Sequence, residues 1–195
     1  MGILMDKDFL EFRNAIIDAF SSYEVNYKLF GGAVVCLLNP KRTTIDLDIM
    51  IKTAEEEIDK VCKALSSINY DTYENIREEL YDGPSAGYRL KPVKPEWTKF
   101  YIDLLFDLSI FDYNNLPSQI IEDNGVKINA VEYGTIIKMK NRVLNRRATQ
   151  AGDAVYEPRP QDKADIEFLS KTLNLDPKTG EPLDKLSTSD LSGGE

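Results

Sequence analysis

Near the start of the chain, hydrophobic residues recur at helical spacing. Further along, they form short continuous apolar segments. The spacing predicts a helix over residues 8–22. Its apolar face contains Phe9, Phe12, Ile16 and Phe20. Residues 27–30 then predict a short strand that runs into Gly31 and Gly32. The apolar stretch at residues 33–38 predicts a short buried helix directly after the two glycines.

Two later apolar segments carry acidic residues where a strand would be half-buried. Residues 43–51 predict a strand that contains Asp46 and Asp48, and residues 99–108 predict another that contains Asp103. Alternate side chains of a strand point to the same face, about 7 Å apart along the chain. Asp46 and Asp48 therefore share a face, and their charges are costly to bury unless something pairs with them. A hard divalent cation such as Mg²⁺ is the usual partner, and nucleotide phosphates accompany it.

The remaining pattern alternates strands with helices. It predicts a helix up to about Ser67, a strand at residues 87–93, a strand at 126–131 after an Asn-Gly turn, a helix at 132–147, and a last helix that begins near Pro160. Residues 72–80 show no clear pattern. The alternation predicts an α/β (α+β) fold, a mixed β-sheet with helices packed on it.

The pattern also divides the chain. We expect residues 1–131 to form the core with the sheet, and residues 132–173 to form a short helical part packed on it. From Asn174 onward the sequence is rich in Pro, Gly, Ser, Thr and Asp, which is typical of a disordered tail over residues 174–195.

Composition narrows the chemistry that the chain can perform. The 195 residues include no histidine, which excludes histidine-based catalytic triads and imidazole acid–base catalysis. The net charge of −9 argues against binding of long nucleic acid over the whole surface. Cys36 and Cys62 lie in apolar patterns and are expected to be reduced core thiols. The sequence shows no signal-peptide pattern and no membrane-spanning run, so we expect a cytoplasmic protein without a membrane partner.

A two-metal site needs a third carboxylate, and the strand at residues 99–108 offers two. Asp103 and Asp107 are four positions apart and would share a face. Asp103 lies between Ile102 and Leu104, where burial requires a partner, whereas Asp107 lies at the strand end. We favour Asp103. Three such carboxylates could hold two Mg²⁺ ions, one activating an acceptor hydroxyl and the other holding a triphosphate.

The segments around these acids resemble the nucleotidyltransferase superfamily that includes DNA polymerase beta. The resemblance lies in Phe30-Gly31-Gly32, thirteen intervening residues, and Asp46-Leu47-Asp48-Ile49. The spacing Arg42-x-Thr44-x-Asp46-x-Asp48 is similar to small stand-alone members, among them minimal nucleotidyltransferases, abortive-infection toxins and antibiotic-modifying enzymes. The family's third acid lies on a later strand, which matches Asp103. Residues 159–166 also resemble a helix that follows the catalytic domain in such proteins.

The resemblance implies transfer of a nucleoside monophosphate from a nucleoside triphosphate (NTP), such as ATP, in the presence of Mg²⁺, with Asp46, Asp48 and Asp103 as catalytic and metal-binding residues. The acceptor would be a hydroxyl of a protein, a tRNA or a small molecule. The residues expected to bind the nucleotide or its phosphates are Gly31, Gly32, Arg42, Thr44 and Lys138. The alternative is a catalytically silent module of the same fold that binds a nucleotide or a partner.

Each of these features also has a plainer interpretation. The two glycines could form only a tight turn, and Asp46 and Asp48 could lie outward on an edge strand. The helix at residues 132–147 carries an outer basic face, which is either a solvated surface or a phosphate-binding one. That face contains Lys138, Lys140, Arg142, Arg146 and Arg147.

Overall fold

A computed structural model describes residues 7–81, 88–106, 112–149 and 159–184. The chain divides into two compact units, Met1–Val131 and Glu132–Glu195. In the described residues no helix is long and apolar enough to cross a membrane. The fold is the expected mixed sheet with helices packed around it, followed by a helical C-terminal part.

Within its described residues the first unit contains six strands and four α-helices. The strands are β1 Tyr27–Phe30, β2 Asp46–Ile51, β3 Tyr88–Leu90, β4 Tyr101–Phe106, β5 Ser118–Asp123 and β6 Val126–Val131. The helices are α1 Lys7–Ser22, α2 Gly31–Leu38, α3 Glu55–Ser67 and α4 Tyr73–Tyr81, with a single 3₁₀ turn at Pro95–Trp97. The second unit contains α5 Tyr133–Thr149 and α6 Pro160–Leu173.

The six strands form one sheet in the order β3-β4-β2-β1-β6-β5. The pairs β2–β4 and β1–β6 are parallel, and the pairs β1–β2, β3–β4 and β5–β6 are antiparallel. β2 is therefore a central strand, which overturns the plainer interpretation of Asp46 and Asp48 as edge-strand charges. The strand order also places β4 directly beside β2.

The two faces of β2 and β4 differ in burial. On one face Leu47, Ile49, Ile102 and Leu104 are fully buried, and on the other Asp46, Asp48, Tyr101 and Asp103 are partly exposed. Helix α1 packs against α3, and its buried aromatic face stacks with Phe100. Burial of these apolar side chains, worth about 25 cal/mol per Å² of apolar surface, supplies the driving force for the unit.

Several sequence expectations are met in the first unit. α2 is a short, largely buried helix, as its apolar run predicts, and both cysteines are free and buried. The Asn124-Gly125 turn has positive φ at both residues, which joins β5 to β6 as a tight hairpin. The segment without a clear pattern forms α4, and β5, which the sequence did not predict, pairs along the whole of β6.

The expected disordered tail is wrong for its first part. Residues 174–184 form an ordered turn in the second unit, closed by an antiparallel bridge between Leu175 and Pro182. The Asp176 carboxylate accepts hydrogen bonds from the N–H groups of Lys178 and Thr179, and these bonds provide partners for two backbone donors of the turn. These local hydrogen bonds order a segment whose composition alone resembles a linker. Residues 185–195 lie outside the described part of the chain.

Candidate functional site

The parallel pairing of β2 with β4 brings three carboxylates together. Asp48 lies directly opposite Asp103 in the register, and Asp46 lies opposite Tyr101. One carboxylate oxygen from each of Asp46, Asp48 and Asp103 lies within 4.8 Å of the other two, and all three residues are half-buried. The three acids that the sequence favours therefore form one cluster. Asp107, the alternative third acid, lies outside the described residues.

Gly31 allows the chain to pass close to this cluster. Its φ of +68° is a left-handed conformation that favours glycine, and a Cβ at this position would lie 1.9 Å from Asp48 Oδ2. A side chain would therefore displace the Asp48 carboxylate. Gly31 is also the first residue of α2, so this glycine both ends β1 and begins the helix beside the acids. The two glycines are thus more than a surface turn.

Gly32, Arg42 and Thr44 lie around the same cluster. The Thr44 hydroxyl donates a hydrogen bond to Asp46 Oδ1. A Cβ on Gly32 would lie 2.9 Å from Arg42 Nη2 and 3.2 Å from Thr44 Oγ1. The Arg42 guanidinium therefore lies over the start of α2, where it also donates to the Thr43 carbonyl. Four of the five residues expected to bind nucleotide or phosphate thus surround the acids.

The fifth residue, Lys138, lies in the second unit, where it pairs with Glu181. Its neighbour on the expected basic face, Lys140, is not exposed. Lys140 is buried and its Nζ lies 2.8 Å from carboxylate oxygens of both Asp162 and Asp165. The assignment of Lys140 to a solvent-facing basic surface is therefore wrong, because the buried carboxylates of α6 attract it inward. The side chains of Arg146 and Arg147 lie outside the described part.

Arg89 and Tyr101 also belong to the site, and neither of them was identified from the sequence. Arg89 on β3 donates from Nε to Asp103 Oδ1 at 2.8 Å and from Nη2 to Asp103 Oδ2 at 2.7 Å. Its guanidinium also lies 4.0 Å from the centre of the Tyr101 ring. The only sequence signal was an arginine in a predicted strand. Its role depends on the antiparallel register that sets Arg89 opposite Asp103, which composition does not reveal.

The negative charge of the cluster perturbs its neighbours. Burial raises the pKa of the Tyr101 hydroxyl, and the charges of Asp46, Asp103 and Asp48 raise it further, against the opposing charge of Arg89. Hydrogen bonding to Asp103 raises the pKa of Arg89 above its already high ordinary value. Both groups therefore remain protonated at neutral pH.

The donor set fits a hard divalent cation. Three convergent carboxylates offer only oxygen ligands, which Mg²⁺, Mn²⁺ and Ca²⁺ prefer, and the sequence contains no histidine that would favour zinc or copper. The absent Cβ at Gly31 leaves room for Asp48 Oδ2. The residues that would hold the metal are Asp46, Asp48 and Asp103.

Comparison with solved structures identifies the fold. A nucleotidyltransferase-like antigenic protein of Paracoccidioides brasiliensis is 19% identical, with a TM-score of 0.51 over 87% of this chain and 78% of its own. A provisionally assigned nucleotidyltransferase of Thermotoga maritima is 16% identical, with a TM-score of 0.51 over 76% of this chain and 94% of its own. ANT(2'')-Ia, solved in complex with adenylyl-2''-tobramycin, is 11% identical, with a TM-score of 0.52 over 84% of this chain and 88% of its own.

These likenesses show a nucleotidyltransferase-like fold, in agreement with the resemblance stated from the sequence motifs. No family model matches the sequence, and no curated protein matches it. At such low identity the likeness establishes the fold alone, and the chemistry has to be argued from the site.

Proposed function

We propose that this protein is a metal-dependent nucleotidyltransferase that moves a nucleoside monophosphate from an NTP to a hydroxyl group of an acceptor. The observation that carries the proposal is the cluster of Asp46, Asp48 and Asp103, whose oxygens converge within 4.8 Å on a sheet of the nucleotidyltransferase-like fold. A solvated acidic surface would not require the glycine at position 31, whose missing Cβ makes room for Asp48.

The three acids act together in the proposed reaction. Asp46, Asp48 and Asp103 hold the cations, and the hydroxyl of Thr44 orients Asp46. Two bound Mg²⁺ ions would supply activation of the acceptor hydroxyl and neutralisation of charge on the leaving pyrophosphate. A carboxylate of the cluster accepts the proton of the acceptor hydroxyl, since the chain has no histidine for that role.

The start of α2 suits the phosphates of the nucleotide. The first N–H groups of a helix have no partner within the helix, and they favour an anion together with the helix dipole. Gly31 and Gly32 present these groups without side chains in the way, and Arg42 adds a positive charge beside them. We propose that these residues bind the triphosphate.

Among the acceptors expected from the sequence, one solved neighbour supports a small molecule. The structure of ANT(2'')-Ia contains an adenylylated tobramycin. A small hydroxyl-bearing acceptor is consistent with the net charge of −9, which repels long nucleic acid. Protein and tRNA hydroxyls remain in the proposal as acceptors to be tested beside it. A catalytically silent module would have no need of three convergent acids.

The proposal is tested by label transfer. Purified protein is incubated with Mg²⁺, each NTP labelled in its α-phosphate, and three acceptor pools: a cell lysate, purified tRNA and a set of aminoglycosides. Wild type should transfer label, and Asp46→Asn and Asp103→Asn should reduce the rate by about 100-fold or more, because a catalytic metal is worth several kcal/mol in the transition state.

The matched control is Glu122→Gln, which removes one exposed carboxylate from β5 at the opposite side of the sheet from β4. This variant should transfer label at the wild-type rate. Equal labelling by wild type and Asp46→Asn would overturn the proposal, as would transfer that continues after chelation of all divalent cations. The labelled product also identifies the base and the class of acceptor.

A further inference from the structure

Arg89 occupies both oxygens of the third carboxylate. The two hydrogen bonds to Asp103, at 2.8 and 2.7 Å, form a two-pronged contact that suits a planar guanidinium. Arg89 nevertheless remains accessible, with 53% of its side chain exposed, while the side chain of Asp103 is 21% exposed. The arginine therefore covers Asp103 from the solvent side, on a strand at the edge of the sheet.

The charges around Asp103 explain why an arginine belongs there. Three carboxylates within 4.8 Å repel one another, and the guanidinium neutralises one of them. A divalent cation bound by the same three residues would neutralise them more fully. It would also repel the guanidinium, since both would be positive and would share the oxygens of Asp103. Each carboxylate oxygen keeps a second lone pair, so the competition arises from charge rather than from a blocked ligand.

We propose that Arg89 is a counter-ion built into the site, which holds Asp103 in place until a divalent cation displaces it. Arg89 is then a positioning residue that acts through Asp103 and lowers the affinity of the site for metal alone. This inference rests on the metal site of the proposed function. Arg89 lies on edge strand β3 and its side chain is exposed, so the guanidinium can withdraw from Asp103 without disrupting the buried core. The Tyr101 ring, which the guanidinium already contacts, can keep this contact by a cation–π interaction.

The test measures Mn²⁺ binding to the full chain in the absence of nucleotide, by electron paramagnetic resonance of the free ion. Arg89→Gln should bind Mn²⁺ about fivefold more tightly than wild type, the size expected for the loss of a partly exposed ion pair. Arg89→Lys keeps the charge but not the two-pronged contact, so its affinity should lie between the two. Circular dichroism establishes whether each variant is folded. If Arg89→Gln does not fold, the comparison of Arg89→Lys with wild type decides the question.

Two controls separate a specific contact from a general change in charge. Arg77→Gln removes the same charge from the same unit, at an ion pair with Asp59 on the helices, and should leave Mn²⁺ affinity unchanged. In an Asp103→Asn background the gain from Arg89→Gln should disappear, because the two effects act through one contact.

The outcomes distinguish this inference from the proposed function. If Mn²⁺ binds wild type and is lost in Asp46→Asn, but Arg89→Gln gains nothing or gains equally in the Asp103→Asn background, the counter-ion role is overturned and the metal site stands. If neither wild type nor any variant binds Mn²⁺, both the metal site and the counter-ion role are overturned. A gain of about fivefold that depends on Asp103 supports both.

Discussion

At the scale of single residues, the site depends on the absence of a Cβ atom at Gly31. Gly31 approaches Asp48 so closely that a methyl group would lie 1.9 Å from its carboxylate oxygen. The three nearest atoms all belong to the Asp48 side chain, so a Cβ at Gly31 would force this carboxylate to shift. The glycine is therefore part of the geometry that keeps the three acids convergent, although it contributes no functional group of its own.

Replacement of Gly31 by alanine should disable the site. The new Cβ would push Asp48 out of the cluster, and the positive φ would add strain of about 1 kcal/mol or more. We expect Gly31→Ala to lose most Mn²⁺ binding and most label transfer, with a modest decrease in melting temperature. The measurements are the Mn²⁺ titration described above and thermal unfolding.

Gly125 provides a matched control for this change. It also has a positive φ, of +79°, but a Cβ there would meet no atom within 4 Å. Gly125→Ala should therefore show the backbone strain alone, with normal Mn²⁺ binding. If the two variants lose metal binding equally, or if neither does, the contact between Gly31 and Asp48 is not what shapes the site.

At the scale of elements, α3 is tied to the start of β1 by a buried acid. Glu57, in the first turn of α3, accepts hydrogen bonds from the backbone and side-chain nitrogens of Asn26 at 2.8 and 2.7 Å, and from Lys60 at 3.0 Å. Burial acts to raise the pKa of Glu57, but the hydrogen bonds and the charge of Lys60 together outweigh it and lower the pKa. The ionised acid therefore stabilises the fold.

The lowered pKa predicts how stability depends on pH. A carboxyl with a lower pKa in the folded chain stabilises it above the ordinary value of 4.5, and this contribution is lost as the pH falls through the folded value. Glu57→Gln should therefore cost about 1–2 kcal/mol at neutral pH and much less at about pH 3. Urea unfolding at the two pH values measures the difference, with Glu122→Gln as an exposed control. A gap that stays constant with pH would contradict the prediction.

Edge elements were the hardest to anticipate from the sequence. β2 was predictable because its two acids alternate with apolar residues and a further apolar run follows them. β5 was not, because its side chains alternate between half-buried and exposed, and Ile120 is 66% exposed. Such a strand buries no apolar stripe, and only its pairing with β6 defines it. The position of Arg89 depends in the same way on pairing, between β3 and β4.

At the scale of the whole molecule, each unit has its own core, and the second unit contains a buried ionic cluster. Lys140 on α5 contacts Asp162 and Asp165 on α6, and the side chains of Lys140 and Asp165 are 9% and 2% exposed. The sequence placed Lys140 on an outer basic face, because charged residues rarely lie in a core. Only the packing of the two helices reveals that they pair.

Loss of this lysine should destabilise the second unit strongly. Lys140→Met leaves the buried Asp165 and the partly buried Asp162 without their cation, which costs about 3–5 kcal/mol. Lys171→Met is the control, since it removes a lysine from α6 whose pair with Glu167 is largely exposed, and it should cost at most about 0.5 kcal/mol. Urea unfolding followed by helical circular dichroism measures both. Similar small losses for the two variants would show that the buried cluster is not needed.

The alignment of Asp48 with Asp103 also has a consequence for how the protein is made. Fifty-five positions separate the two residues in the sequence, and their strands are parallel, so no local hairpin can bring them together. Contacts between distant segments form slowly because the loop between them must close first. During synthesis the nascent chain carries Asp46 and Asp48 long before the strand with Asp103 emerges. We therefore expect the acids to converge only after β2 and β4 have paired, so that a metal ion would bind a chain whose central strands are already in register.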